Sequence, residues 1–468
     1  MPRKFSGESH TGERRELRKN GDIYVYERIT AYNQQTKKTY TVSQNLKGKI
    51  KAGTQELVPT RPKTNTKDIK TNTANTSRIH TGLTDILNWI GKSSKIDSDI
   101  YGSFSPGDAA KILSIAQYWV GTGGNTLPRL ESWQIMHSLP YSEGISENVY
   151  SDLFKSIGRN ENSIQKYFFN RSEVLGTHPI IAFDSTTIST YSKNQIEARR
   201  GFNKAKDGLN TIKLLTLYSV KDHEPIAFAK QPGNIPDVIS IENTIKQIKC
   251  FPIDKPLIVT DNGYYSQKNI TEFAHSNMKF LTLADPDISW IREEIDSLRE
   301  PLQQLSSACP FDINISGAST TRMQKFEHIR QRPRNEKLKG DKEIFSRRLY
   351  VHIFYSPDNT NKYDAAFREK IFELKEQLEE GETVFTEQAE KRIKKYLICS
   401  RVGRGGKMKV SFNESAYINA KKYFGFFALV SNKSIDTFEA LKNYRLREKI
   451  EEFFADQKGS FDGWKPRI

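Results

Sequence analysis

Two apolar runs in this chain each end on an aspartate followed by a short polar segment. Pro179-Ile180-Ile181-Ala182-Phe183 leads into Asp184-Ser185-Thr186, and Pro256-Leu257-Ile258-Val259-Thr260 leads into Asp261-Asn262-Gly263. Reactive groups in α/β proteins collect at strand ends, where the rim of the core meets solvent. Either aspartate alone is ordinarily just a helix or turn cap. A third acidic residue gives the pair meaning. Near the C-terminus, Tyr444, Arg447, Glu451 and Lys458 follow one another at spacings of 3, 4 and 7 residues. On one continuous helix, at ~100° per residue, these four share an arc of about 60°. Leu446, Ile450, Phe453 and Phe454 form an adjacent apolar arc. A helix of this kind lays its apolar arc on a core and holds Glu451 against it, while Tyr, Arg and Lys face a ligand. Without the aspartates, the same pattern describes an ordinary amphipathic helix with a solvated charged face.

Three carboxylates supply the hard oxygen ligands that Mg²⁺ requires, and they leave coordination positions open for substrate phosphate. Two Mg²⁺ ions are expected, with Mn²⁺ as a substitute. One would activate water or a 3′-hydroxyl, and the other would stabilise the leaving oxygen of an in-line displacement. The expected catalytic and metal-binding residues are therefore Asp184, Asp261 and Glu451. Arg447 suits phosphate as a bidentate fork and Lys458 as a point charge. Tyr444 can hydrogen-bond a phosphate or stack on a base.

The bulk composition agrees with a polyanionic partner. Across 468 residues, 72 Lys and Arg stand against 56 Asp and Glu, a net charge of +16. Nucleic acid is the commonest partner for such a balance, although charge alone also serves solubility. The three cysteines, Cys250, Cys309 and Cys399, lie far apart without CxxC spacing. A disulfide framework and a cysteine zinc site are therefore not expected, and a reducing cytoplasm fits. The histidines form no HExxH or paired His-Cys pattern, so no zinc enzyme is indicated. The N-terminus, MPRKFSGESH, has no apolar signal core, and no segment approaches the ~18 apolar residues of a membrane span. A soluble protein away from the membrane is expected.

The elements that must position these residues follow from local pattern. Residues 1–78 read as a basic hairpin and a linker arm. Tyr24-Val25-Tyr26 and Thr39-Tyr40-Thr41-Val42 flank Asn33-Gln34-Gln35, and a Thr-, Asn-, Lys- and Pro-rich stretch runs over 52–78. Residues 79–176 read as a helical N-terminal domain of possible DNA-binding use, from apolar spacing such as Leu83, Ile86, Leu87 and Ile90. Residues 177–468 read as an α/β catalytic domain. Strands end at Asp184 and cover 212–220 and 225–229; a helix covers 237–249, a strand ends at Asp261, a helix covers 266–275 and a strand covers 279–283. Antiparallel strands followed by βα units imply a mixed sheet. The charged stretch 286–420 reads as an inserted subdomain with a strand at 348–354 and a helical run at 362–395. A strand at 423–430 and one long helix from Asp436, capped through Asp436 and Glu439, complete the domain.

Together, these residues resemble the DDE transposases of bacterial insertion sequences. The signature Y-x2-R-x3-E-x6-K of the insertion-sequence-4 group is matched by Tyr444, Arg447, Glu451 and Lys458. The DSTTISTYS stretch from Asp184 and PGNIPDV from Pro232 resemble that group as well, most of all its insertion-sequence-1634-like branch. The resemblance runs from about residue 20 to the C-terminus. It implies an RNase H-like core with an insertion between the second Asp and the Glu. It also implies cut-and-paste chemistry by a homodimer on double-stranded DNA, at terminal inverted repeats and target, in the bacterial cytoplasm near the nucleoid. In relatives the signature Tyr, Arg and Lys contact transposon-end phosphates, which implies DNA-binding roles for Tyr444, Arg447 and Lys458. Relatives often stack a base on a tryptophan of the insertion; Trp290 lies near its start and is given no role. The family usually continues with further helices after the signature, whereas ten residues follow Lys458 here; whether this copy is shortened stays open at this point. A nuclease of the same fold, or a DNA-binding remnant without catalysis, are the alternatives.

Overall fold

The computed structural model describes residues 9–33, 36–59, 78–124, 126–192, 194–201, 203, 206–236, 241–330, 340–381, 384–401 and 408–459. The chain divides into two compact units, Met1–Arg78 and Ile79–Ile468.

The first unit is one antiparallel sheet of β1 (Ser9–Leu17), β2 (Ile23–Asn33), β3 (Lys38–Ile50) and β4 (Leu57–Pro59), in that order. The expected hairpin is its centre, β2 paired with β3. The sheet is larger than expected, because β1 and β4 add an edge strand on each side. The β1 sequence, SHTGERREL, is almost wholly exposed and so lacks the apolar alternation by which a strand is read. The first part of the expected 52–78 linker contributes β4, and residues 60–77 lie outside the described residues, as do Gln34 and Gln35. Gly48 admits β4: a Cβ there would stand 2.4 Å from the Val58 carbonyl oxygen. Of the apolar side chains described in this unit, only Val25 and Ala31 are buried.

Among the described residues, the second unit begins with the α-helices α1 (Gly82–Ser93), α2 (Ile96–Ser103), α3 (Pro106–Thr122), α4 (Leu130–Gln134), α5 (Glu147–Arg159) and α6 (Glu161–Glu173). α3, α4 and α5 close around Ile115, Tyr118, Leu130, Ile145 and Leu153, and α2, α3 and α6 around Ile100, Ala109 and Leu113. Buried Arg171 of α6 pairs with Asp99 of α2 at 2.7 Å and with Glu224, which opens strand β7 below. That contact ties the helices to the sheet.

The sheet contains β5 (Ile180–Thr190), β6 (Asn210–Ser219), β7 (Glu224–Pro232), β8 (Leu257–Thr260), β9 (Lys279–Ala284), β10 (Ala308–Cys309), β11 (Asp312–Ile329) and β12 (Lys342–Tyr355). After the separate pair β13 (Leu397–Arg401) and β14 (Met408–Phe412) comes its last strand, β15 (Phe426–Ser431). Among the described residues, nine strands lie in the order β10-β11-β12-β15-β9-β8-β5-β6-β7. β5, β8 and β9 run parallel at the centre, and all other neighbours are antiparallel. The expected mixed α/β sheet is therefore present.

Alternate residues of the central strands point to opposite faces. Ile181, Phe183, Ile258 and Phe280 pack with α7 (Ile241–Ile248), α8 (Gln267–His275) and α9 (Ser289–Leu298). Ile180, Ala182, Leu257, Val259 and Leu281 pack with the C-terminal helices. Two buried faces explain why these strands read as unbroken apolar runs. Residues 237–240, expected to open α7, lie outside the described residues.

The stretch 286–420, read from sequence as an inserted subdomain, divides. After α9, the strands β10, β11 and β12 extend the main sheet. Their exposed alternate residues made them look like a charged insertion. Among the described residues, the later part has a small core of its own, Ile371, Leu374, Leu378, Leu397 and Val410. It is built from α10 (Pro357–Glu380), α11 (Glu387–Tyr396), β13 and β14, and is followed by α12 (Glu414–Lys421). The expected helical run at 362–395 is thus two helices, the first ending at Gly381 with φ of 96°.

Candidate active site

The strand carrying Asp184 does not end there, contrary to the sequence reading. β5 continues to Thr190, paired with β6 throughout. Its Ser/Thr-rich continuation reads as a loop by polarity, yet β-branched threonine and isoleucine suit a strand. What does end at this point is the parallel ladder with β8, whose last rung joins Phe183 to Thr260. Asp184 is the next residue of β5 and Asp261 the residue directly after β8, and neighbouring strands lie ~4.8 Å apart. Asp184 shares its face with Ile180 and Ala182, and Asp261 follows the alternation of Leu257 and Val259. Both therefore look toward the C-terminal helices. The Asp184 carboxylate also accepts the backbone N–H of Ser185 at 2.8 Å.

The long final helix expected from sequence is two helices, α13 (Thr437–Arg445) and α14 (Glu448–Gly459). Asp436 caps the first as expected, accepting from the backbone N–H groups of Phe438 and Glu439 at 2.9 and 3.3 Å. At Leu446 and Arg447 the backbone tightens. Arg447 N donates to Tyr444 O at 3.0 Å, Lys449 N to Leu446 O at 3.1 Å and Ile450 N to Arg447 O at 3.0 Å. These three-residue closures are those of a 3₁₀ turn. No Gly or Pro marks the break. The apolar residues Ala440, Leu441, Ile450 and Phe454 of both helices still seat on the sheet.

All six residues singled out from sequence come together on this face. The Arg447 guanidinium is their hub. Its Nη1 lies 2.8 Å from Glu451 Oε1 and 3.5 Å from Asp184 Oδ2, and its Nη2 lies 4.0 Å from Asp261 Oδ2. Tyr444 donates its hydroxyl to Asp261 Oδ1 at 2.9 Å, and its ring lies 5.5 Å from the guanidinium carbon. Lys458 donates to the Thr186 hydroxyl, one step further along β5 on the face of Asp184.

Burial grades across the site. The Arg447 and Asp184 side chains are 10% and 13% exposed, Asp261 is 41% exposed and Glu451 55%. Burial favours the neutral form of Arg447. The negative charge of Tyr444, when ionised, and of Asp261, Glu451 and Asp184 outweighs it, so the guanidinium's pKa lies above its ordinary value. Burial, reinforced by Asp261, pushes the Tyr444 phenol well above its usual range. At neutral pH the hub is thus a fixed cation and Tyr444 a fixed hydrogen-bond donor.

Among the described residues, no group of three or more His, Cys, Asp or Glu stands ready to hold a metal ion. The donor chemistry nevertheless suits one. Three carboxylates from three separate elements already direct oxygens at a single cation, and hard oxygen ligands are what Mg²⁺ takes. The cation between them is the guanidinium.

Two features escaped the sequence reading. Thr186 was not singled out as the partner of Lys458, because nothing local links positions 272 residues apart. A cleft of about 530 Å³ opens beside Asn262, the neighbour of Asp261, and is lined among others by Tyr363, Lys391, Arg392, Lys395 and Tyr396. Its basic wall comes from α11, and only the fold brings that helix near Asn262. Trp290 packs half-buried against the α7–α9 face, with the Arg322 guanidinium 5.5 Å from its ring.

Residues 175–468 match the family described as Transposase DDE domain. No curated protein matches the chain. Among solved structures, the chain is similar to a piggyBac transposase seen by cryo-EM in a synaptic complex with hairpin DNA. The identity is 10%, the match covers 75% of this chain and 59% of that one, and the TM-score is 0.35. The chain thus spans less than two thirds of that protein's length.

Proposed function

The chain belongs to the family of transposase DDE domains, and from that premise we propose that it is a DNA transposase whose reacting carboxylates are Asp184, Asp261 and Glu451. The observation that carries this reading is the meeting of the three on one guanidinium. Side chains 77 and 190 residues apart along the sequence converge through a strand register and a helix pair. A merely structural ion pair needs no third acid.

Enzymes of this family generally work with divalent metal ions. Asp184, Asp261 and Glu451 are the residues to hold them here, as Mg²⁺ or Mn²⁺. When bound, the metal supplies activation of the attacking oxygen and stabilisation of the leaving one. The remaining residues bind and orient. Arg447 offers a planar fork to a phosphate and Lys458 a point charge. Tyr444 keeps its proton and fixes the Asp261 carboxylate. The basic wall of the cleft beside Asn262 gives a DNA strand a path away from the acids, and the chain's net charge of +16 favours the same partner.

Several finer points belong to the same proposal. The mixed sheet is read as an RNase H-like core. The signature at Tyr444, Arg447, Glu451 and Lys458 supports the insertion-sequence-4 group, and the stretches from Asp184 and Pro232 support its 1634-like branch. The reaction is cut-and-paste at terminal inverted repeats, carried out by a homodimer in the bacterial cytoplasm near the nucleoid. The helices of 79–176 are the proposed seat of additional DNA contacts. Among the described residues no helix is long and apolar enough to cross a membrane.

The test uses the full chain with labelled DNA bearing the element's two ends. Asp184→Ala, Asp261→Ala and Glu451→Ala should each abolish strand cleavage and leave DNA binding within a few-fold of the parent. Cleavage that persists in any of the three sinks the assignment. Cleavage by the parent without joined product would make the protein a nuclease rather than a transposase.

A further inference from the structure

The oxygens that would ligate a metal are the oxygens that now hold Arg447. Asp184 Oδ2, Asp261 Oδ2 and Glu451 Oε1 all face the guanidinium, at 3.5, 4.0 and 2.8 Å. The guanidinium is nine-tenths buried, and its Nε finds no hydrogen-bond partner among the described residues. A buried cation lacking a full set of hydrogen bonds is costly. It stays because three acids surround it. A divalent ion entering the same place would meet a fixed positive charge a few ångströms away, and the carboxylates cannot serve both cations fully.

Arg447 also sits at the break in the C-terminal helical segment. It lies in the turn between α13 and α14, outside the regular bonding of either helix. Glu451, its nearest partner, is more than half exposed, so that contact opens to solvent readily. A phosphate oxygen pair offers the guanidinium a bidentate alternative of equal or greater strength.

We propose that Arg447 is an internal counter-cation which bars divalent metal from the three carboxylates until a DNA phosphate draws it away, so that metal and DNA bind cooperatively. The inference rests on the reading that Asp184, Asp261 and Glu451 hold the metal. Cooperativity follows from linkage. If phosphate removes the competitor and so tightens metal binding, metal must tighten DNA binding by the same factor. The device keeps the site metal-poor, and chemically idle, on the free protein.

The experiment titrates Mn²⁺ into the full chain and reads bound metal by electron paramagnetic resonance, without any turnover. Arg447→Gln should bind Mn²⁺ about tenfold more tightly than the parent in the absence of DNA, within the usual size of couplings between sites. Arg447→Lys keeps the charge but loses the fork, and should fall between the two. A short duplex of random sequence should tighten Mn²⁺ binding to the parent by about the same factor, after correction for Mn²⁺ held by the DNA alone, and leave Arg447→Gln unchanged. Equal or weaker Mn²⁺ binding by a folded Arg447→Gln overturns the proposal, as does a parent indifferent to DNA. Should Arg447→Gln fail to fold, the parent titrated with and without duplex decides by itself. The double variant Asp184→Asn, Asp261→Asn separates the two readings. Mn²⁺ binding retained there at the parental level overturns the metal site itself, whereas its loss there, together with an Arg447→Gln that without DNA binds Mn²⁺ no more tightly than the parent, overturns only the counter-cation.

Discussion

The two faces of the nine-stranded sheet are made by the same strands and meet different demands. Toward α7, α8 and α9 the odd and even alternation delivers Phe183, Ile258, Phe280, Val351 and Ile353, a closed apolar layer. Toward α13 and α14 the intervening residues deliver Ala182, Val259 and Leu429, but also Asp184, Thr186 and the wholly buried His352. One face is spent on cohesion and the other tolerates charge. The comparison teaches that a single strand such as β5 can serve both purposes, because its side chains never share a side with their immediate neighbours.

The comparison is broken most forcefully at the charged face. Glu451→Gln should lower DNA cleavage by about 10⁴-fold or more, the scale seen when one member of a concerted catalytic set is removed. Its thermal midpoint should hardly move, since the side chain is more than half exposed. A large fall in the midpoint would mean that the acid is structural. The opposite face should behave in the opposite way. Phe280→Ala, at a fully buried position, should cost about 3–5 kcal/mol in denaturant unfolding. The surviving folded fraction should cleave at the parental rate. A specific rate that falls with stability would show that the faces are not separable.

A smaller effect should come from His352. Burial drives its imidazole down to about 4 from 6.5, with Asp436 opposing weakly, and neither ring nitrogen has a hydrogen-bond partner among the described residues. Above pH 6.5 the ring is neutral folded or unfolded and contributes no pH dependence. Between 6.5 and about 4 the unfolded chain takes up a proton that the folded one refuses. Stability should therefore fall as the pH is lowered through that window, by at most about 1.4 kcal/mol per unit, and level off below it. In His352→Leu this part of the pH dependence should vanish, as followed by urea midpoints across the window. The smallest effect belongs to Lys458→Ala. It should weaken DNA binding modestly on every sequence and reduce the slope of log affinity against log salt by about 1. No change of slope would remove Lys458 from the phosphate contacts.

The apolar runs before Asp184 and Asp261 were legible because both faces of β5 and β8 are covered, which leaves a continuous hydrophobic signal. The side of the C-terminal segment that faces the sheet was legible too, from the positions of Ile450 and Phe454. The break at Leu446 and Arg447 was not, because it arises from packing and tightened hydrogen bonding rather than from a helix-breaking residue. Nor was the company Arg447 keeps: spacing indicates which way a side chain points, and the partner it meets depends on the rest of the fold. The joining of β12 to β15 escaped for a similar reason. Tyr350 pairs with Ser431 across 80 intervening residues, and no local window contains both.

The rung between Phe183 and Thr260 decouples the spacing of two acids from the length of chain that joins them. Segments connecting β5 to β8 can gain or lose residues over generations, and the gap between Asp184 and Asp261 stays what the backbone of adjacent strands makes it. Glu451 has no such tether. Its reach depends on how two short helices settle on a sheet, so inherited change in their packing will displace the third acid well before it disturbs the first two.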